Sequence, residues 1–219
     1  MSYSYIIFPI NLYQKLYSLN VNDNFIKISR DTNYIAHLVF EKITYVVLEI
    51  GFGDGKFIIE YAKDNQDKQI IGIEKSDYLV KHVAKKLTKE GINNVRLISS
   101  MANFAIYFLV PENFLDLIIV NFPDPWPKKA HISRRLLNPN FFKMIYPKMK
   151  QNSKIFISTD VEKYKDYILD SIDTVNSHKP LFKVENVFLG FWYEKYQTKY
   201  LNKWLKVGKK IFSIEITRK

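Results

Sequence analysis

The 219-residue chain has no cysteine. Disulfides, thiolate nucleophiles, iron–sulfur clusters and Cys-ligated zinc are therefore excluded together. Histidine is scarce as well: His37, His82, His131 and His178 lie far apart and show no metal-ligand spacing, so no metal site is expected. No apolar run approaches the ~18 residues of a membrane helix, and no membrane association is expected. The start, Met1 to Pro9, has neither a basic region nor an apolar run long enough for a signal peptide, which points to a cytoplasmic protein. Internal repeats and low-complexity linkers are also missing. Acid is short against base, with 22 Asp and Glu facing 33 Lys and Arg, a net charge of +11. That excess suits a polyanionic partner; the plainer alternative is a chain that prefers lysine on its surface.

What remains is enough for a core, since 47% of the residues are hydrophobic and 25% charged. Residues 1–44 show no clear periodicity; a short strand near Tyr5–Phe8 and helices near Leu12–Leu19 and Thr32–Phe40 are expected. We treat 1–44 as an N-terminal arm and 45–219 as the main domain. From Tyr45 the pattern sharpens. Tyr45–Ile50 is apolar nearly throughout, as in a strand buried on both faces. A glycine-rich turn and a helix through Phe57–Ala62 follow, then a strand at Gln69–Glu74 and a helix from Ser76 or Asp77 to about Glu90. In that helix Leu79, Val83 and Leu87 form an apolar stripe, while Lys81, Lys85 and Lys89 form a solvated face or an RNA contact. Further strands are expected at Val95–Ser99, Leu115–Asn121, Lys154–Thr159, Val184–Phe188 and Ile211–Ile216, with helices at Phe141–Met149 and Val161–Ile172. Strands alternating with helices predict an α/β fold with a parallel sheet and right-handed crossovers. The last two strands, with no comparable helix between them, suggest an antiparallel edge and seven strands in all. In such a sheet ligands bind beyond the carboxyl ends of the strands.

The first of these ends is Glu49-Ile50-Gly51-Phe52-Gly53-Asp54-Gly55. Glycines permit a sharp turn and close approach to a ligand. Here they follow a G-x-G-x-G spacing, not the G-x-x-G ending of dinucleotide folds. An acid at the strand end repels a pyrophosphate and attracts a cation. S-adenosylmethionine, with its sulfonium and ammonium groups, fits Glu49 better than NAD does; a helix-capping acid is the alternative. Glu74 closes the next strand 23 residues after Gly51, close to the spacing of about 20 at which an acid accepts ribose hydroxyls.

The most specific stretch is Asn121-Phe122-Pro123-Asp124-Pro125-Trp126-Pro127-Lys128-Lys129-Ala130-His131, followed by Arg134-Arg135-Leu136. Three prolines in five residues give a stiff, non-helical path that holds Asp124 and Trp126 at the ligand edge. This stretch resembles the signature of the bacterial tRNA (guanine-N7)-methyltransferases. The resemblance extends to Leu48–Gly53, to Gly72-Ile73-Glu74, to Ser158-Thr159-Asp160-Val161-Glu162 and to Thr198-Lys199-Tyr200, in the family's order over residues 45–219.

The resemblance implies a seven-stranded Rossmann-like S-adenosylmethionine-dependent methyltransferase that acts on N7 of a variable-loop guanine, position 46, in tRNA. It implies Asp124 as the catalytic residue. It also implies Glu49, Gly51, Gly53, Glu74, Met101, Ala102, Asn121 and Asp124 as the cofactor site, and Lys128, Asp160, Thr198, Lys199 and Tyr200 as substrate contacts. S-adenosylmethionine is the only cofactor implied, tRNA the partner, and no obligate protein partner is evident. Four positions depart from the pattern. Met101 stands where the family has Asp or Asn, leaving the adenine to backbone groups at Met101–Ala102 or to Asn103. Leu201 replaces an acid, Ala130 an Arg and Val161 a Trp. The missing cysteine excludes pyrimidine C5 methylation, which needs a thiolate. Aromatics at Phe191, Trp192, Tyr193, Tyr196, Tyr200 and Trp204 interleave with Lys195, Lys199, Lys203 and Lys206; they suit RNA, although more than half are expected in the core. The alternatives are an exocyclic-amine nucleic-acid methyltransferase, a small-molecule methyltransferase and a non-catalytic RNA-binding module on the same sheet.

Overall fold

The computed structural model describes residues 5–7, 45–193, 195–196 and 198–219. The expected helices at Leu12–Leu19 and Thr32–Phe40 lie outside the described residues. Strands β1 (Tyr5–Ile7), β2 (Tyr45–Ile50), β3 (Lys68–Glu74), β4 (Val95–Ser99), β5 (Leu115–Asn121), β6 (Met149–Thr159), β7 (Phe182–Leu189) and β8 (Phe212–Arg218) form one sheet. Its order is β1-β4-β3-β2-β5-β6-β8-β7. The seven strands after residue 44 are those expected, and Tyr5–Ile7 adds a short eighth alongside β4, in parallel. Among the described strands only β8 runs antiparallel, to both β6 and β7.

Helices α1 (Lys56–Asp64), α2 (Asp77–Lys89), α3 (Ala102–Leu109), α4 (Pro139–Ile145), α5 (Glu162–Asn176) and α6 (Lys199–Lys206) cover the sheet. One core cluster joins Val46, Leu48 and Ile50 to α3, α4 and α5. The other joins Val47 to α1, α2 and the segment around Phe191, Tyr196 and Leu201. Successive residues of a strand point to opposite faces, so β2 serves both layers. Each such side chain, fully buried, contributes about 1.5–3 kcal/mol.

Two details differ from the periodicity reading. In α2 the buried stripe is Val80, Val83, Ala84 and Leu87, with Leu79 only partly covered; the spacing i, i+3, i+4, i+7 wins over the sparser one. The expected helix to Met149 ends at Ile145. After a tight turn over Tyr146–Lys148, β6 begins at Met149, bulging near Asn152, whose φ is 62°.

Gly72 shows why the layers fit closely. A Cβ there would lie 2.7 Å from Ile58 and 2.8 Å from Leu97 and Phe52. No helix among the described residues is long and apolar enough to cross a membrane.

Candidate functional site

The sheet reverses its strand order between β2 and β5, which pair with each other while their outer neighbours are β3 and β6. Their carboxyl ends flank the crevice where open α/β sheets take ligands. Strand parity then decides which side chains enter it. Val47, Ile70, Leu117 and Ile119 face the α1–α2 layer. Glu49, Gly72, Glu74 and Asn121 are an even number of positions further along the same strands, so both acids and Asn121 share that face.

Glu49 is 2% exposed. Its Oε2 and the Nδ2 of Asn121 are buried without a hydrogen-bond partner among the described residues. Burial pushes the Glu49 carboxyl up to about 8, reinforced by the carboxylates of Asp54 and Glu74 and opposed by Asn121. A buried acid that pairs with no cation among the described residues, and lies on the crevice face, suits a positively charged ligand.

Glu74, also buried, accepts N–H bonds from Gly53 at 3.2 Å and from Ser76 at 3.0 Å, one on each oxygen. Each carboxylate oxygen can accept a second bond, which leaves capacity for hydroxyl donors. Gly51 and Gly53 have φ of 77° and 58°, and a Cβ on either would meet nothing within 4 Å. The turn demands glycine for its backbone angles, and the space above it is open. At the end of β4, Met101 is exposed and precedes α3, and its carbonyl accepts from the Ala105 N–H; Ala102 is half-buried.

The proline loop leaves β5 beside β6, anchored by the Phe122 N–H on the Ser158 carbonyl at 2.8 Å. Asp124 projects outward and pairs with Lys75 at 3.3 Å. The Phe122 ring stacks on Phe191 and Tyr200, with centroids 5.9 and 6.4 Å away. The exposed Tyr200 is thereby brought to the loop that carries Asp124. Trp126 packs edge-on to His131 at 5.6 Å, and the Arg134 guanidinium lies 5.2 Å from its ring.

Asp160 pairs with Lys209 at 2.6 Å. Thr198 caps α6, its Oγ1 accepting the Leu201 N–H at 2.9 Å, and Lys199 opens that helix. Lys128 is exposed at the start of the turn Lys129–Arg134. Leu201, which stands where the family has an acid, is buried in the core. Phe191 and Tyr196 pack with Phe57 and Tyr61. Of the six aromatics near the C-terminus, only Tyr200 is exposed.

Two further residues, without a role from the sequence alone, join the site. Lys75 meets Asp124 across 49 positions, and Arg135 donates from Nε to the Pro125 carbonyl at 2.8 Å. For Arg135 the available signal was its place in the Arg134-Arg135-Leu136 run.

A family model described as "putative methyltransferase" matches residues 44–214. Among curated relatives, the tRNA (guanine-N(7)-)-methyltransferase of Thermus thermophilus is 37% identical over 172 residues, covering 76% of this chain and 52% of that protein. The Aquifex aeolicus enzyme of that name is 36% identical, covering 79% and 56%. The Buchnera aphidicola enzyme is 35% identical, covering 80% and 73%. The chain thus spans about half the length of the first two relatives and nearly three-quarters of the third. Among solved structures, the 16S rRNA methyltransferase KamB superposes with a TM-score of 0.65 at 13% identity, covering 86% of this chain and 93% of that one. An antibiotic-related methyltransferase superposes with a TM-score of 0.59 at 17% identity, covering 92% and 96%. These likenesses show the methyltransferase fold. By the family model and the coverage of the Buchnera relative, the chain belongs to the bacterial tRNA (guanine-N7)-methyltransferase family.

Proposed function

We propose that this chain transfers a methyl group from S-adenosylmethionine to N7 of a guanine in tRNA, guanine 46 of the variable loop. One observation carries the reading. The family's Phe-Pro-Asp-Pro-Trp loop carries Asp124 from the end of β5, one of the two strands that flank the crevice, and the buried acid Glu49 on that crevice face pairs with no cation among the described residues. In this reading residues 45–219 form the methyltransferase domain and 1–44 an arm, and the protein works in the cytoplasm.

S-adenosylmethionine supplies a methyl group made electrophilic by its sulfonium. Glu49 faces the cationic part of the cofactor, and Glu74 accepts from the ribose hydroxyls. Gly51 and Gly53 leave room above the turn, while Met101 and Ala102 offer backbone groups to the adenine. Asn121 and Asp124 border the cofactor and the base. Guanine N7 has an in-plane lone pair and no proton, so methylation there needs no strong base. As the N7–CH3 bond forms the S–CH3 bond would break, leaving a neutral thioether, S-adenosylhomocysteine, and a cationic purine. Asp124 orients the guanine through its N–H donors and offsets the charge as it grows; the rest is proximity.

An A-form groove hides N7, so the guanine must lie in a loop or leave its stack. Exposed Tyr200, stacked on Phe122 at the root of the Asp124 loop, offers a stacking face to a base. Lys128 is exposed and, with Lys199, would serve as a phosphate contact. Thr198 keeps its hydroxyl proton free to donate, because its oxygen serves the helix cap. Asp160 must share its carboxylate with Lys209.

The test is transfer of labelled methyl to unmodified tRNA, followed by nucleoside analysis. N7-methylguanosine, with its fixed positive charge and labile glycosidic bond, is expected, and it should vanish when guanine 46 is replaced by adenine. Methyl on an exocyclic amine would instead favour the alternative nucleic-acid methyltransferase.

A further inference from the structure

The loop that carries Asp124 lacks the usual means of staying in place. Pro123, Pro125 and Pro127 have no N–H to donate, and among the described residues 123–127 make no backbone–backbone hydrogen bond. Phe122 and Trp126, neither of them glycine, hold φ of 51° and 41°. Such angles are costly for a residue with a Cβ and persist only where the surroundings enforce them. At the root of the loop the enforcing contact is Phe122 on Ser158. Further along, it is Arg135.

Arg135 is 7% exposed, and none of the ion pairs among the described residues includes it. Its guanidinium lies 5.1 Å from the Tyr164 ring and 4.6 Å from the Tyr167 ring, both on α5. Tyr164 is itself fully buried, and its hydroxyl accepts the Leu137 N–H at 3.4 Å. From that fixed seat Nε reaches the Pro125 carbonyl at 2.8 Å. A planar guanidinium can face aromatic rings and donate in its own plane at the same time, which an ammonium cannot match.

We infer that Arg135 is a positioning residue, which ties the Asp124–Pro125 turn to helix α5 and so sets where the Asp124 carboxylate stands. The inference rests on the proposed role of Asp124. Arg135 does not touch the substrate; it acts through the turn. A displacement of about 1 Å at a reacting group can lower a rate by roughly 100-fold. Loss of the tether should therefore fall on kcat rather than on binding.

The experiment uses the full chain labelled with 5-fluorotryptophan, as wild type, Arg135→Met and Arg135→Lys. Fluorine NMR reads the three tryptophans separately, with Trp126 assigned through Trp126→Phe. Arg135→Met should shift or broaden the Trp126 signal and leave Trp192 and Trp204 in place. Its kcat should fall by about 10–100-fold, with the KM for tRNA and the calorimetric Kd for S-adenosylmethionine within about twofold of wild type. Arg135→Lys, which keeps the charge and the ring contacts, should recover part of the lost rate; if Arg135→Met does not fold, its own Trp126-selective shift decides. An unmoved Trp126 signal, an unchanged kcat, or equal movement of all three signals with loss of cofactor affinity would overturn the tether. A wild type that methylates no tRNA counts against the proposed activity, while the fluorine spectra still decide on the tether.

Discussion

Lys75 Nζ stands 3.3 Å from Asp124 Oδ2, so the residue that follows one proposed cofactor acid neutralises the proposed catalytic acid. Both side chains are 65% exposed. A pair of this kind contributes about 0.2–1 kcal/mol and weakens with salt. It is loose enough for an entering guanine to replace Lys75 at the carboxylate. We expect Lys75→Met to lower the thermal midpoint by less than about 4 °C, measured by calorimetric scanning at low salt. A larger loss would show the pair to be a structural brace.

Glu49 should make the protein sensitive to pH. Its carboxyl sits at about 8 in the folded protein against an ordinary 4.5, chiefly through burial. The folded state holds this proton more tightly than the unfolded chain does. The group's contribution to stability is therefore whole below pH 4.5 and is lost as pH rises through 8. Other groups titrate too, so the comparison is with Glu49→Gln: cofactor-free wild type should lose more stability across this window. Binding of cationic S-adenosylmethionine should expel the proton, making calorimetric heats at pH 7 depend on the buffer. Parallel pH profiles for the two proteins would contradict this account of Glu49.

Glu74 has a double task, since it holds the Gly53 and Ser76 amides and is proposed to receive the ribose. A charged acceptor of this kind is worth about 1.5–3 kcal/mol. Glu74→Ala should weaken S-adenosylmethionine binding by roughly one to two orders of magnitude. Calorimetry showing unchanged affinity would remove Glu74 from the cofactor site.

The strands were legible because doubly buried strands leave continuous apolar runs, and the ends of β4 and β5 fall at the expected residues. Helix α3 was not expected. Its sequence, Ala-Asn-Phe-Ala-Ile-Tyr-Phe-Leu, is apolar almost all round and leaves no periodic signal. Helix α6 was missed among aromatics and lysines that suggested an RNA surface, where most of the aromatics pack inward. The acids of the crevice could be read from strand ends and glycine spacing. Lys75 and Arg135 could not, because their partners are reached through the tertiary path of the chain: one across the sheet edge, the other back to a carbonyl ten residues earlier.

Asp124, in the proposed mechanism, serves the chemistry at guanine N7 and not the folding of the cofactor crevice. The direct measurement is methyl transfer to unmodified tRNA by wild type and Asp124→Ala, read as N7-methylguanosine, with S-adenosylmethionine binding followed by calorimetry. We expect N7-methylguanosine from wild type and its loss, by about 100-fold or more, from a variant that still binds the cofactor. Full transfer by Asp124→Ala would remove Asp124 from the chemistry, and a wild type that modifies another atom of the base would overturn the N7 assignment.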